Sequence, residues 1–148
     1  MRKISEQWAD INAKAAISVF QNQLKRIITA YDRLMQLPVI EGMSPVFMRF
    51  FLSDAVNQAP LIPRNFASCT VSLIQQPPLN DSKVALWIYL QRGAKQCEEN
   101  GFTVVDHNDY RHLWRMGMVR LDGDSYNQAD KLLEDYEEGL QHFGASIR

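Results

Sequence analysis

The sequence predicts an α+β protein, with helices packed on one face of a sheet, and three observations carry that prediction. An amphipathic stretch comes early, strand-like apolar runs separated by turn residues follow it, and a second amphipathic stretch lies near the end.

The elements follow in chain order. Residues 5–13 alternate weakly around Trp8 and Ile11 and read as a strand. Over residues 17–35, Ile17, Phe20, Leu24, Ile27, Ile28, Tyr31 and Leu34 recur at three- and four-residue steps, which places them on one helical face. Lys25, Arg26, Asp32 and Arg33 fall mostly on the other side, and Pro38 blocks continuation. Residues 46–53 (VFMRFFLS) read as a strand opened by Gly42-Met43-Ser44-Pro45 and closed by Asp54. In residues 66–75, Cys69, Val71 and Leu73 alternate with Ser68, Thr70 and Ser72, which predicts an inner apolar face and a wetter one. Residues 84–91 (VALWIYLQ) are apolar on both faces, which predicts a central strand or one covered by a partner. The short link through Pro77 and Pro78 predicts that these last two strands are antiparallel neighbours.

The last third begins afresh. Residues 102–105 and 110–121 look extended, and residues 122–125 (DGDS) form a turn ending in a helix N-cap residue. Residues 126–142 then form a second amphipathic helix, with Gly144 placed to end it. The two helices match each other: NQLKRIITAY begins at Asn22 and NQADKLLEDY at Asn127, an offset of 105 residues. A repeat that long is one small domain and not a solenoid unit. The expected organisation is therefore a first domain over 1–97 and the opening strand and helix of an incomplete second copy over 98–148.

Composition narrows the function classes. Apolar residues make up 46% and charged ones 22%, and the formal net charge is -1. Interspersed charges of both signs give no broad basic field, so nucleic acid is not an expected partner. Cys69 and Cys97 stand outside any disulfide or zinc spacing, which fits a reducing cytoplasm. The basic start has no apolar segment behind it, and no apolar run approaches the roughly 20 residues that span a bilayer. A signal peptide and a membrane partner are not expected.

Over residues 5–92 the chain resembles the YjgF/RidA superfamily, through FQNQLKRIITAYDRL, VFMRFFLSD, FASCTVSLIQQPPL and SKVALWIYL in that order. The tandem arrangement is similar to that of the chorismatase-like branch. The resemblance implies a chorismate-mutase-like sheet with helices on one face, assembly as trimers or pseudo-trimers, and ligand clefts between subunits. The two-faced apolar strand 84–91 and the incomplete second copy separately predict a homo-oligomer, a trimer or a dimer. Deaminating members of the family carry an Arg that grips the substrate carboxylate with a bidentate fork. Ser68 stands at that position here, and Ala85-Leu86-Trp87 stands where those members have a Glu. The resemblance thus implies a small-molecule-binding protein without the usual imine deaminase activity. An enzyme acting on an aromatic or cyclic carboxylate, and a regulatory module without a ligand, are the alternatives.

Five residues are the candidate ligand contacts: Arg49, Arg64, Ser68, Tyr110 and His112. Arg49 lies among Phe47, Met48, Phe50 and Phe51, and a guanidinium there must meet a carboxylate, a ligand or solvent. A structural ion pair, with Asp54 or another carboxylate as its acid, or an edge position is the favoured expectation, and an anion anchor for a small carboxylate in a cleft between subunits is the other. Arg64 stands where it could reach the space left by the absent family Arg, although an ordinary loop position is favoured. The stretch holding His107, Asp109, Tyr110, Arg111, His112, Trp114 and Arg115 is the densest polar-aromatic cluster. An exposed connector is the favoured reading of it, against binding of an anionic aromatic ligand. Its two His lack metal-ligand spacing, so neither a metal nor a cofactor is expected. Cys69 reads as inert core, and no independent catalytic motif appears.

Overall fold

The computed structural model describes residues 2–63, 66, 68–107, 109–115 and 124–146, with the backbone alone for 2–11. It is an α+β structure of two compact units, Met1–Arg92 and Gly93–Arg148.

Helix α1 (Arg2–Leu34) opens the first unit. Its first turns are the residues that alternation marked as a strand, so that expectation is corrected. Glu6, Gln7, Ala9, Ala13, Ala15 and Ala16 are strong helix formers, and no β-branched run opposes them. The anchoring expected of Trp8 and Ile11 lies outside the described side chains. Pro38 opens a single 3-10 turn, Pro38–Ile40, and Gly42, at φ +74°, turns the chain into strand β1 (Met43–Leu52).

Strand β1 is the centre of a three-stranded sheet ordered β2-β1-β3, with β2 (Thr70–Gln75) parallel to it and β3 (Val84–Arg92) antiparallel. Two expectations change here. The strands on either side of the Pro77-Pro78 link run in opposite directions but are not neighbours, because the link crosses β1. Among the described residues, 84–91 lie at the edge of this sheet, so of the two places expected for them the central one is corrected and goes to β1, where Val46, Phe47, Met48, Phe50 and Leu52 are all buried. Nine residues of β1 pair with β3, and an extra residue at Val46 shifts the register between Pro45 and Phe47.

Between β1 and β2, the short helix α2 (Ala55–Gln58) is held by reciprocal capping. Asp54 accepts from the Asn57 backbone N–H at 3.3 Å and from Asn57 Nδ2 at 2.6 Å. Buried Gln58 turns back to accept from the Asp54 N–H at 3.1 Å and donates to Ser53 Oγ at 2.9 Å. The core lies between α1, α2 and the sheet, where Phe20, Leu24, Phe50, Leu52, Ile62 and Val84 meet. Gln23 fastens the helix to the sheet, since its Oε1 accepts from the Lys83 N–H at 2.7 Å just ahead of β3.

The second unit is an antiparallel meander, β4 (Lys95–Glu99), β5 (Phe102–Asp106) and β6 (Arg111–Trp114), with helix α3 (Ser125–Gln141). The β4–β5 hairpin turns at Asn100 and Gly101, with φ of +50° and +75°. Both values are positive, as a two-residue type I′ turn requires, and Asn-Gly is its favoured sequence. Of the extended run expected over 110–121, residues 111–114 form β6, and 116–123 lie outside the described residues. Phe102, Val104 and Leu140 form the buried cluster, with Leu113, Tyr136, Phe143 and Ala145 against it. After α3, Gly144 takes φ +64°, its N–H donates to Gln141 O at 3.0 Å, and the Ala145 N–H donates to Leu140 O at 3.1 Å. This is a Schellman ending, at the residue the sequence marked for it.

Candidate functional site

The first unit sets Arg49 among aromatic side chains on the sheet face opposite α1. Side chains alternate along a strand, so Phe50 and Leu52, in the α1 core, put Phe47, Arg49 and Phe51 on the other face. The registers extend each position into a row across the sheet. Arg49 lies between Ser72 of β2 and Trp87 of β3, and Phe47 lies between Thr70 and Tyr89.

Arg49 is half-buried. Its Nε donates to Ser72 Oγ at 3.4 Å, a long bond, and its guanidinium carbon lies 5.2 Å from the centre of the Phe47 ring. Among the described residues no carboxylate pairs with it. Asp54 is engaged in capping α2 and β1 is the central strand, so the expected ion pair with that residue and the expected edge position are both corrected. Phe47 meets Trp87 edge-on at 5.8 Å, and Trp87 lies parallel to Tyr89 at 6.5 Å with 8° between the rings. Trp87 is 49% exposed, so its indole gives an accessible apolar plate one strand away from the cation.

The burial of β2 departs from its expected polarity: Val71 packs against the α1 core as expected, but the hydroxyl face is the more deeply buried. Thr70 and Ser72 are buried at 8% and 7% exposure, whereas Leu73 is 40% exposed. A buried hydroxyl is tolerated where it has a partner, and Ser72 has the Arg49 guanidinium. Ser68 is exposed and lies ahead of the paired residues of β2, so the structure does not bring it beside Arg49. Arg64 lies outside the described residues. Cys69 is half-buried, and burial pushes its thiol up to about 11, which suppresses the thiolate at neutral pH. Cys69 and Cys97 are both free thiols.

Tyr110 and His112 belong to the second unit, where they join a ladder of rings. His107 stacks on Tyr110 at 4.2 Å, Tyr110 meets His112 edge-on at 5.3 Å, and His112 meets Trp114 at 5.9 Å. His107 Nε2 lies 3.2 Å from His112 Nδ1, a separation at which one neutral imidazole donates and the other accepts. Burial first, and the neighbouring His107 second, lower the pKa of His112 below its ordinary value. Asp106 pairs with Arg111 at 2.6 Å beside this ladder. Among the described residues, no group of three or more His, Cys, Asp or Glu is placed to hold a metal ion. No helix among them is long and apolar enough to cross a membrane.

No protein-family model, no curated protein and no solved structure matches this chain. The geometry of the two sheets therefore carries the functional reading.

The sequence singled out Arg49, with Phe47 in its own strand, but missed its companions on the neighbouring strands. Trp87 and Tyr89 could have been found by alternation, since odd-numbered positions in 47–51 and 85–89 share a face. That inference needs β1 and β3 to be neighbours, which the Pro77-Pro78 link obscured.

Proposed function

We propose that the chain is a YjgF/RidA-like protein that binds a small aromatic or cyclic carboxylate against Arg49, in a cleft completed by another subunit. One observation supports this reading above the others: a half-buried guanidinium flanked by a hydroxyl and aromatic rings, with no acid paired to it among the described residues. A carboxylate would supply the missing anion through a charge-assisted hydrogen bond, and the exposed indole of Trp87 would take the ring. Ser68 and Ala85-Leu86-Trp87 offer neither the guanidinium nor the acid that imine hydrolysis uses in the family resembled.

Calorimetric titration with benzoate and cyclohexanecarboxylate tests the proposal, with benzamide as the uncharged control. Both acids should bind and benzamide should not. A charge-assisted bond contributes about 1.5–3 kcal/mol, so Arg49→Met should weaken binding roughly 10- to 100-fold. Stability should change by about 1 kcal/mol or less, because the substitution strands no acid, whereas breaking a buried ion pair costs about 3–5 kcal/mol. Undiminished benzoate binding by Arg49→Met, or turnover of imines derived from small amino acids by the unmodified chain, would refute the proposal.

A further inference from the structure

The second unit holds two of the chain's three histidines on one hairpin. Val104 and Leu113 pair across β5 and β6 and lie in the α3 core, so alternation puts Val105, His107 and His112 on the other sheet face. Val105 is opposite His112, and the His107 N–H donates to Tyr110 O at 2.9 Å, which continues the ladder past β5. The two half-buried imidazoles are thus diagonal neighbours, placed by backbone pairing. The stacked Tyr110 ring at 4.2 Å and the Trp114 ring at 5.9 Å pack against them in turn.

His107 Nε2 and His112 Nδ1 lie 3.2 Å apart, and the ring centres are 4.9 Å apart with 79° between the planes. Rings aimed straight at each other across that nitrogen separation would hold their centres farther apart. At least one ring axis is therefore turned off the line between the nitrogens. Such a bend weakens a hydrogen bond, which prefers a straight path from donor to acceptor. A chelate requires it, because both lone pairs must point to a shared third position. Metal–nitrogen bonds of about 2.0–2.1 Å meeting near the tetrahedral angle set two nitrogens about 3.3–3.4 Å apart. We propose that His107 Nε2 and His112 Nδ1 chelate one divalent transition-metal ion, with water completing its coordination. On binding, the donating ring changes tautomer and carries its proton on its other nitrogen. Imidazole suits Cu²⁺, Ni²⁺ and Zn²⁺, whereas Mg²⁺ prefers oxygen ligands. The hairpin supplies two ligands, since among the described residues no third His, Cys, Asp or Glu joins them. Asp106, next to His107, is paired with Arg111. The inference uses the second unit alone and stands apart from Arg49.

Calorimetric titration of the full chain with nickel chloride tests it, with magnesium chloride as the hard-ion control. One Ni²⁺ should bind per chain, and Mg²⁺ should not bind. His107→Ala and His112→Ala, each checked for fold by circular dichroism, should each weaken Ni²⁺ binding at least tenfold, because the second imidazole binds as an intramolecular ligand. His142→Ala, which removes the remaining histidine, should leave binding unchanged. Electron paramagnetic resonance with Cu²⁺ gives a readout that needs no histidine variant. It is recorded on a chain with Cys69→Ser and Cys97→Ser, so that no thiol binds or reduces the ion, and should show two nitrogen ligands. If either alanine variant fails to fold, the copper spectrum decides alone. An unmodified chain that binds no Ni²⁺, Ni²⁺ binding that survives either substitution or depends on His142, or a Cu²⁺ spectrum with fewer than two nitrogen ligands would each overturn the proposal.

Discussion

The two units seat a matching helix on sheets drawn from opposite directions along the chain. The strands of the first unit follow α1, and those of the second precede α3. The extended segment expected ahead of both helices is present only ahead of α3. Where the helices do correspond, they do similar work. Tyr31 packs on Phe66 at 5.0 Å, and Tyr136, at the same repeat position, packs on Phe102 at 5.2 Å. The difference lies three residues further on, where Leu34 of α1 corresponds to Gly139 of α3. Leu34 lines an apolar groove beside β3. Gly139 is buried, and a Cβ there would lie 2.5 Å from Phe102 Cε2 and 2.9 Å from an Arg115 guanidinium nitrogen. A shared helical pattern thus specifies which face meets an aromatic core, while one position sets how closely helix and sheet approach.

The core size of the two units can be compared directly by truncation. Phe50 and Phe102 are both fully buried, and Phe→Ala in a core typically costs about 3–5 kcal/mol. Among the described residues, the cluster around Phe50 has six buried members and that around Phe102 has three. Phe102→Ala should therefore fall at the upper end of that range and Phe50→Ala at the lower, read from the urea midpoint of each variant. Equal losses would mean that the two cores are equivalent despite their size.

Gly139→Ala tests the close seat itself. The added methyl meets a fully buried ring, which has no flexible end to move aside, so the cost should be about 1–3 kcal/mol despite the better helix propensity of Ala. A stabilised Gly139→Ala protein would show that α3 can lift away from β5, and the contrast with Leu34 would lose its meaning. Gln23→Ala should have a smaller effect, about 1 kcal/mol, by removing the acceptor for the Lys83 N–H. An unchanged midpoint would mean that α1 is held to the sheet by its apolar face alone.

What the sequence made legible divides along the same physical line. Some local signals were read correctly, namely the apolar face of 17–35, the turn at Gly42 and the helix ending at Gly144, whereas the weak alternation over 5–13 misread the start of α1 as a strand. Strand β4 was missed although Asn100-Gly101 marks its hairpin, because its sequence KQCEE is almost wholly polar and carries no apolar alternation. Strand order was not legible from composition, since β1 and β3 are both apolar and only pairing shows which is central. The surroundings of Arg49 were hidden for the same reason, as Ser72 and Trp87 reach it from strands distant in sequence.

The two cysteines extend the comparison of the units to chemistry. Cys69 of the first unit is half-buried, and Cys97 of the second is exposed. Burial raises the Cys69 thiol from an ordinary 9.0 to about 11, so about one molecule in a thousand carries its thiolate at pH 8. Iodoacetamide at pH 8 should therefore modify Cys97 first and Cys69 at least tenfold more slowly, as followed by peptide mass mapping. The same shift bears on stability. The folded state holds this proton more tightly than the unfolded state, so the contribution is complete below pH 9 and is lost as pH rises towards 11. Tyr31 is also raised above its ordinary value, by burial, by Cys69 and by Asp32 in that order, and it adds to the loss at high pH. Urea midpoints should fall between pH 9 and 11, and Cys69→Ser should remove part of that fall. Equal labelling of both thiols at pH 8 would mean that Cys69 is open to solvent, and the high-pH loss would then have to come from elsewhere.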